Sequence, residues 1–561
     1  MNKHRFGNWC RHLQLAFLLP LAHLAAATQS PPRLVLQLTV DQLRGDQLLR
    51  YRDKFGAGGF RLLLDRGIYY GNAHYQSSNT FTASGHAVLV TGAETTDHGI
   101  VANDWWDRAT SQAIYCTTDA RYPVLGEPAK PGAGMSPAQL TSSTLGDELV
   151  LAHAGRSRAF GVAGKDRSAI LPAGHLGKAF WFSDKTGTFT SSTYYFSTLP
   201  SWVTAWNETK PIERYRQLDW RPLREAATYR FNSIASNPLA RPDPVLGRSF
   251  PHPLLTKSDA LFFKALLVTP FLDELTAAFA GELLDREHVG LTGATDYLSI
   301  SFSGNDYIGH AYGPNSMEVE DGLLRLDVAL AALLAHVDRT VGLDHTIIVL
   351  SADHGVDDIP EAHRARGQAA DRFFPDKVRA AANLSLRQRF GVTEDLVAAF
   401  MPPGLYLDGG KISALRLDAA AIEKALAEHL RTVPGVAHAV TRTDLLAGRL
   451  PRTALFTRVQ RGFHPTRSGD VVIVQQPFWY LYGDAEGYAA MHGSPYSYDT
   501  FVPIITVTPS VPAAVRHDAV SPAQIAPTLA ALLGLNAPSG CADFTVLPGM
   551  LAPSTPAAAP R

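Results

Sequence analysis

Tyr297-Leu298-Ser299-Ile300-Ser301-Phe302-Ser303 and Thr346-Ile347-Ile348-Val349-Leu350 decide the fold class. Each is a short apolar run of the kind that forms a buried strand. Between them, Leu323, Leu326, Leu330, Leu333 and Val337 recur at spacings of three and four, the apolar stripe of a helix. Strand, helix, strand at this spacing is a βαβ unit and implies a parallel sheet. A third run, Leu34-Val35-Leu36-Gln37-Leu38-Thr39-Val40, reads as another buried strand. The expected fold is therefore α/β, a central, mainly parallel sheet flanked by helices.

Each run is closely followed by a carboxylate: Asp41, Asp306 and Asp353. Ligand sites in open α/β sheets form just beyond the C-terminal ends of strands. Asp41, Asp306, His310, Asp353, His354 and His492 together make a candidate zinc set. Zinc takes imidazole nitrogen and carboxylate oxygen, and a catalytic zinc keeps one position open. Six such residues make two sites of three. Paired zincs about 4 Å apart can clamp the attacking and leaving oxygens of a displacement at phosphorus.

The segment Asn79-Thr80-Phe81-Thr82-Ala83-Ser84-Gly85-His86-Ala87-Val88-Leu89-Val90-Thr91-Gly92 reads as a short helix from Ala83, ended by Gly92. Thr82 then stands at a helix N-terminus, which favours an anion. A zinc-bound hydroxyl there can attack phosphorus. Thr82 is equally suited to be a helix cap, and spacing does not choose between Thr82, Thr80 and Ser84 as nucleophile.

The remainder sets bounds. The 561 residues are 46% hydrophobic and 18% charged, with formal net charge -1. Nothing in that balance suggests nucleic acid as a partner. Lys3, His4, Arg5 and Arg11, the apolar run Leu13 to Ala27 and its small-residue end form the pattern of a cleaved signal peptide over residues 1–27. The expected location is periplasmic or secreted, with no membrane anchor. Cys116 and Cys541 remain after the leader; pairing and separate burial are equally open. One catalytic domain spans 28–551. Stretches at about 180–260 and 360–470 break the pattern and read as insertions that cap the site rather than extend the sheet. Residues 552–561 are Ala/Pro-rich and read as a disordered tail.

Thr82-Ala83-Ser84-Gly85-His86 resembles the T-x-x-[GN]-H nucleophile motif shared by bacterial alkaline phosphatases and nucleotide pyrophosphatase/phosphodiesterases. Gly99-Ile100-Val101-Ala102-Asn103-Asp104-Trp105, Asp306-x-x-x-His310, Asp353-His354-Gly355, His492-Gly493 and Ile525-Ala526-Pro527-Thr528-Leu529-Ala530 resemble later motifs of the same superfamily, in the same order. The resemblance implies that Asp306, His310 and His492 hold one zinc, and that Asp41, Asp353, His354 and Thr82 hold the other. It implies Thr82 as nucleophile, with a phosphothreonine intermediate, and Asn103 as a phosphate ligand.

Lys165-Asp166-Arg167 resembles the K-x-R pair of the phosphate-irrepressible bacterial alkaline phosphatases. Lys and Arg suit the dianionic phosphoryl group of a monoester, the Arg bidentately. The expected enzyme is a monomeric, two-zinc alkaline phosphatase acting on small phosphate monoesters. The alternatives are a phosphodiesterase of the same superfamily and a secreted metal-binding protein without catalysis. A sulfatase is disfavoured because Thr82 cannot become formylglycine.

Overall fold

The computed structural model describes residues 31–551 apart from 129, 131, 233–238, 242, 257 and 484–486. The leader 1–27 and the tail 552–561 lie outside the described residues.

Among the described residues the main sheet has nine strands. In chain order they are β1 (Leu34–Val40), β2 (Ile68–His74), β3 (Ala159–Ala163), β4 (Lys178–Ser183), β5 (Thr188–Thr190), β6 (Asp296–Phe302), β7 (Thr346–Ser351), β8 (Phe501–Val507) and β9 (Ala514–Arg516). Their order in space is β9-β2-β8-β7-β1-β6-β3-β4-β5. The central run β7-β1-β6-β3-β4 is parallel throughout. Only β8 and the edge strand β5 run against it.

β1 is buried at every residue, as a parallel strand covered on both faces must be. Leu34, Leu36, Leu38 and Val40 pack on one face, with the helices Phe271–Arg286 and Met317–Thr340. Val35 packs on the other, with helix Ile525–Leu533. The helix predicted from the leucine stripe runs Met317–Thr340, and Ser316 caps it by accepting from Val319 N.

Interior strand β8 carries Pro503, which lacks a ladder donor. The register with β2 shifts between Val502 and Ile504, so the proline sits at a bulge. Its carbonyl is not wasted: it accepts from Ser351 Oγ at the end of β7.

The stretch at 180–260 begins inside the main sheet, because β4 and β5 form its edge. Its later part packs on the flanking helices; fully buried Trp220 donates to Asp321 of the helix Met317–Thr340. The stretch at 360–470 is different. It contributes most of a four-stranded sheet, in the order Val397–Met401, Gly404–Leu407, Val471–Gln475, Val436–Thr441. That sheet packs with helices Pro375–Phe390 and Ala419–Leu430 around its own core, which includes Leu386, Leu405, Leu426 and Ile473. Cys116 and Cys541 are both buried as separate thiols.

Candidate metal centre and phosphate cleft

The four neighbouring strands β7, β1, β6 and β3 end side by side, and each delivers a charged residue at its C-terminal end. Asp41 follows β1 directly. Asp353 stands two residues after β7. Asp306 lies in the first turn of α1 (Gly304–Tyr312), which follows β6, and Lys165 follows β3. Sequence separations of more than a hundred residues vanish because the strands are in register.

Asp41, Asp306 and Asp353 are all buried. Lys165, itself buried, reaches Asp41 at 2.7 Å and also contacts Asp306. Burial pushes the Asp41 carboxyl well up, helped by Asp306 and Asp353, and Lys165 only partly opposes it. Burial pushes on Asp306 too, but His310 and Lys165 outweigh it and hold that carboxyl well below its usual range. With one fixed ammonium among three buried carboxyl groups, ionising all three needs further positive charge, which an added cation would supply.

The histidines are aimed. His310 Nδ1 lies 2.7 Å from Ala490 O, His492 Nδ1 2.7 Å from Thr80 O, and His354 Nδ1 3.0 Å from Gly355 O. A ring nitrogen facing a carbonyl must carry the proton, so Nε2 is the nitrogen that can be given over to a metal. Those Nε2 atoms point at the carboxylates. His310 is 3.1 Å and His492 3.7 Å from Asp306 Oδ1, while His354 is 3.5 Å from Asp41 Oδ1 and 3.6 Å from Asp353 Oδ2. Asp41 Oδ1, Asp353 Oδ2 and His354 Nε2 are buried with no hydrogen-bond partner. Orphaned acceptors on neutral histidine and carboxylate suit a divalent metal.

Two groups have ligand atoms all within 4.8 Å of one another: Asp41, Asp353 and His354, and Asp306, His354 and His492. The first is one predicted set. The second brings in His354, whose ring stacks on His492 with centroids 3.6 Å apart. His310 stands beside that group through its contact with Asp306. All six predicted ligands thus meet in one place.

Thr82 opens helix α2 (Thr82–Thr91), with Phe81 in the cap position, so Thr82 is not a cap. The rivals are engaged elsewhere: Thr80 Oγ1 donates to Ser494 O at 2.9 Å, and Ser84 Oγ donates to the carbonyls of Asn79 and Phe81. Gly85 is needed at its place because a Cβ would overlap the carbonyl oxygen of Asp353. The glycine therefore lets α2 lie directly on the loop that carries Asp353.

Thr82 Oγ1 is 3.5 Å from a terminal nitrogen of Arg167. Asn103 Oδ1 accepts from Ala83 N at 3.0 Å, which fixes the amide beside the same helix turn. Phe81, Thr82, Asn103, Lys165, Arg167, Asp306, His310 and His492 line one cleft of about 300 Å³, together with Phe400, Met401, Pro402, Tyr482 and Tyr488, the last packed against His310.

Tyr115 was not singled out in the sequence. It accepts from Arg167 at 3.0 Å and donates to Asp166, and so braces the guanidinium. Nothing in its local pattern marks it, since the contact spans 52 positions. Gln42 likewise leaves no local signal in the sequence.

Residues 35–495 match the type I phosphodiesterase/nucleotide pyrophosphatase family. Alkaline phosphatase PafA of Elizabethkingia meningoseptica is 33% identical over 518 residues, covering 91% of this chain and 93% of the relative. A Myroides odoratus protein named calcium-transporting ATPase is 33% identical over 525 residues, covering 92% of this chain and 95% of that protein. The crystal structure of wild-type alkaline phosphatase PafA matches with a TM-score of 0.85 at 32% identity, covering 91% of this chain and 98% of the other. Family match and fold agree along nearly the whole described chain, which belongs to the type I phosphodiesterase/nucleotide pyrophosphatase family of the alkaline phosphatase superfamily.

Proposed function

We propose that this alkaline phosphatase-type hydrolase takes phosphate monoesters, with Thr82 as nucleophile and two zinc ions as cofactors. Asp306, His310 and His492 hold one zinc, and Asp41, Asp353 and His354 hold the other beside Thr82. When bound, the zincs supply Lewis acidity that favours a deprotonated hydroxyl and stabilises the leaving oxygen.

The chain's own residues do the rest. Helix α2 presents Thr82 Oγ1 at its positive end, where an incoming phosphoryl group is welcome. Arg167 binds non-bridging oxygens of that group and Tyr115 holds the guanidinium at its angle. Asn103, fixed through Ala83, offers its amide nitrogen to another oxygen. Lys165 adds positive charge at the cleft wall. Thr82 attacks phosphorus, the ester oxygen departs, and water then hydrolyses the phosphothreonine.

One observation carries the preference for monoesters: Arg167 lies 3.5 Å from Thr82 Oγ1 in a cleft that Lys165 also lines. A guanidinium beside the nucleophile, with Lys165 lining the same cleft, suits a dianion, whereas a diester would place a neutral organic group there. The roof residues Phe400, Met401 and Pro402 belong to the stretch read as a cap, and we assign them to the organic part of the substrate. The leader makes the enzyme an exported one. Among the described residues no helix is long and apolar enough to cross a membrane.

The test compares p-nitrophenyl phosphate with bis-p-nitrophenyl phosphate, before and after chelation and zinc repletion. The monoester should be turned over far faster, and activity should vanish with chelator and return with zinc. Faster diester turnover, or full activity in chelator, would contradict the proposal.

A further inference from the structure

Gln42 follows Asp41 and is buried, with φ at +66°. A glutamine in the left-handed region is uncommon and persists only where its surroundings hold it there. Two bonds do so, and both end on the metal-facing carboxylates. The Gln42 backbone N–H donates to Asp353 Oδ1 at 3.1 Å. Its side-chain Nε2 donates to Asp306 Oδ1 at 2.6 Å. On the other side of the same peptide, Asn305 Nδ2 donates to Asp41 O at 2.8 Å.

We infer that Gln42 is a positioning residue that straps the two metal groups together, holding Asp353 with its backbone and Asp306 with its carboxamide. The inference rests on the two-metal reading of the site. The extended strand β1 would carry residue 42 past both carboxylates; the left-handed turn aims N–H and side chain at them. Asp306 Oδ1 is also the oxygen that His310 and His492 face. A neutral donor on that oxygen orients the carboxylate without adding charge that would compete with a cation. Gly309 belongs to the same device. A Cβ there would overlap the Gln42 carboxamide oxygen, so helix α1 leaves room for the strap.

The backbone and side-chain halves can be separated. Asparagine tolerates a left-handed backbone, so Gln42→Asn keeps the N–H on Asp353, but its shorter amide does not reach Asp306. Gly309→Ala disturbs the carboxamide without replacing residue 42. The experiment is metal content by mass spectrometry across a chelator series on the purified full-length protein, with unfolding followed by circular dichroism. Wild type should hold two zincs. In both variants one of the two should be lost at roughly 10–100-fold higher free zinc than in wild type, as for other outer-shell ligands, while the second follows wild type. Zinc restored in excess should refill the weakened site. Both zincs held as in wild type would overturn the strap, and so would both weakening equally. A wild type that takes up no zinc would sink the two-metal reading itself, which is a different outcome.

Discussion

The floor and the roof of the cleft are built on opposite plans. The floor is the carboxyl edge of four parallel strands, where each charged residue stands within a few positions of a buried strand end. Its histidines are held by short contacts to the backbone carbonyls of Ala490, Thr80 and Gly355. The roof is a separate four-stranded sheet with its own apolar core, and it meets the cleft through Phe400, Met401 and Pro402. The contrast implies a division of labour. In the proposed function the floor holds the chemistry and the roof shapes access to it, while Ala399 and Tyr406 of the roof sheet share a core with Ala83 and Ala87 of α2.

The harshest way to break this comparison is Thr82→Ala. Turnover of p-nitrophenyl phosphate should fall by about 10⁴-fold or more, as losses of a nucleophile do, with the unfolding transition unchanged. Retention of most activity would move the chemistry elsewhere on the floor.

Next is Arg167→Ala. Its kcat/KM for the monoester should fall by about 10²–10³-fold, the scale of losing one charge-stabilising donor, and for the diester by much less. Equal losses on both would remove the basis for monoester preference.

The roof should answer differently. Leu426 is fully buried in the roof core, so Leu426→Ala should cost about 2–5 kcal/mol of stability. Below its own melting transition, kcat on p-nitrophenyl phosphate should stay within about twofold of wild type. A collapse of kcat at full folding would show that floor and roof are not separable.

The smallest effect lies at the seam. His98 is fully buried between the segment that carries Asn103 and the 464–467 loop. Burial, with His464 and Arg467 nearby, pushes it down to about 3. Its Nδ1 already accepts from Ile100 N at 3.0 Å, which leaves no room there for a proton. The unfolded chain takes that proton below about pH 6.5 and the folded one does not. Stability from this residue is therefore full above pH 6.5 and is lost as pH falls toward 3, about 2 kcal/mol at pH 5. His98→Asn should shrink the stability difference between denaturant melts at pH 7.5 and pH 5 by about that amount. An unchanged difference would remove His98 from the seam.

Much of the floor was legible in the sequence because buried strands and the residues that end them are local patterns. The three strands at 34–40, 296–302 and 346–351 fell within one residue of their expected bounds, and the carboxylates followed. Other elements were hidden for physical reasons. Strand β8 contains a proline that only a bulge makes acceptable. The opening of the 180–260 stretch is rich in aromatics that suit either a cap or an edge strand, and the structure uses them as β4 and β5. Gln42 depends on a left-handed backbone and Tyr115 on a partner 52 positions away, and neither leaves a periodic trace.

In the proposed mechanism Thr82 takes the phosphoryl group while the floor holds it. Acid-quenching the zinc-loaded enzyme during turnover and mapping phosphopeptides tests this directly. Phosphate on Thr82, absent in Thr82→Ala, is the predicted result; phosphate on Thr80, Ser84 or a histidine, or on no residue at all, would contradict it.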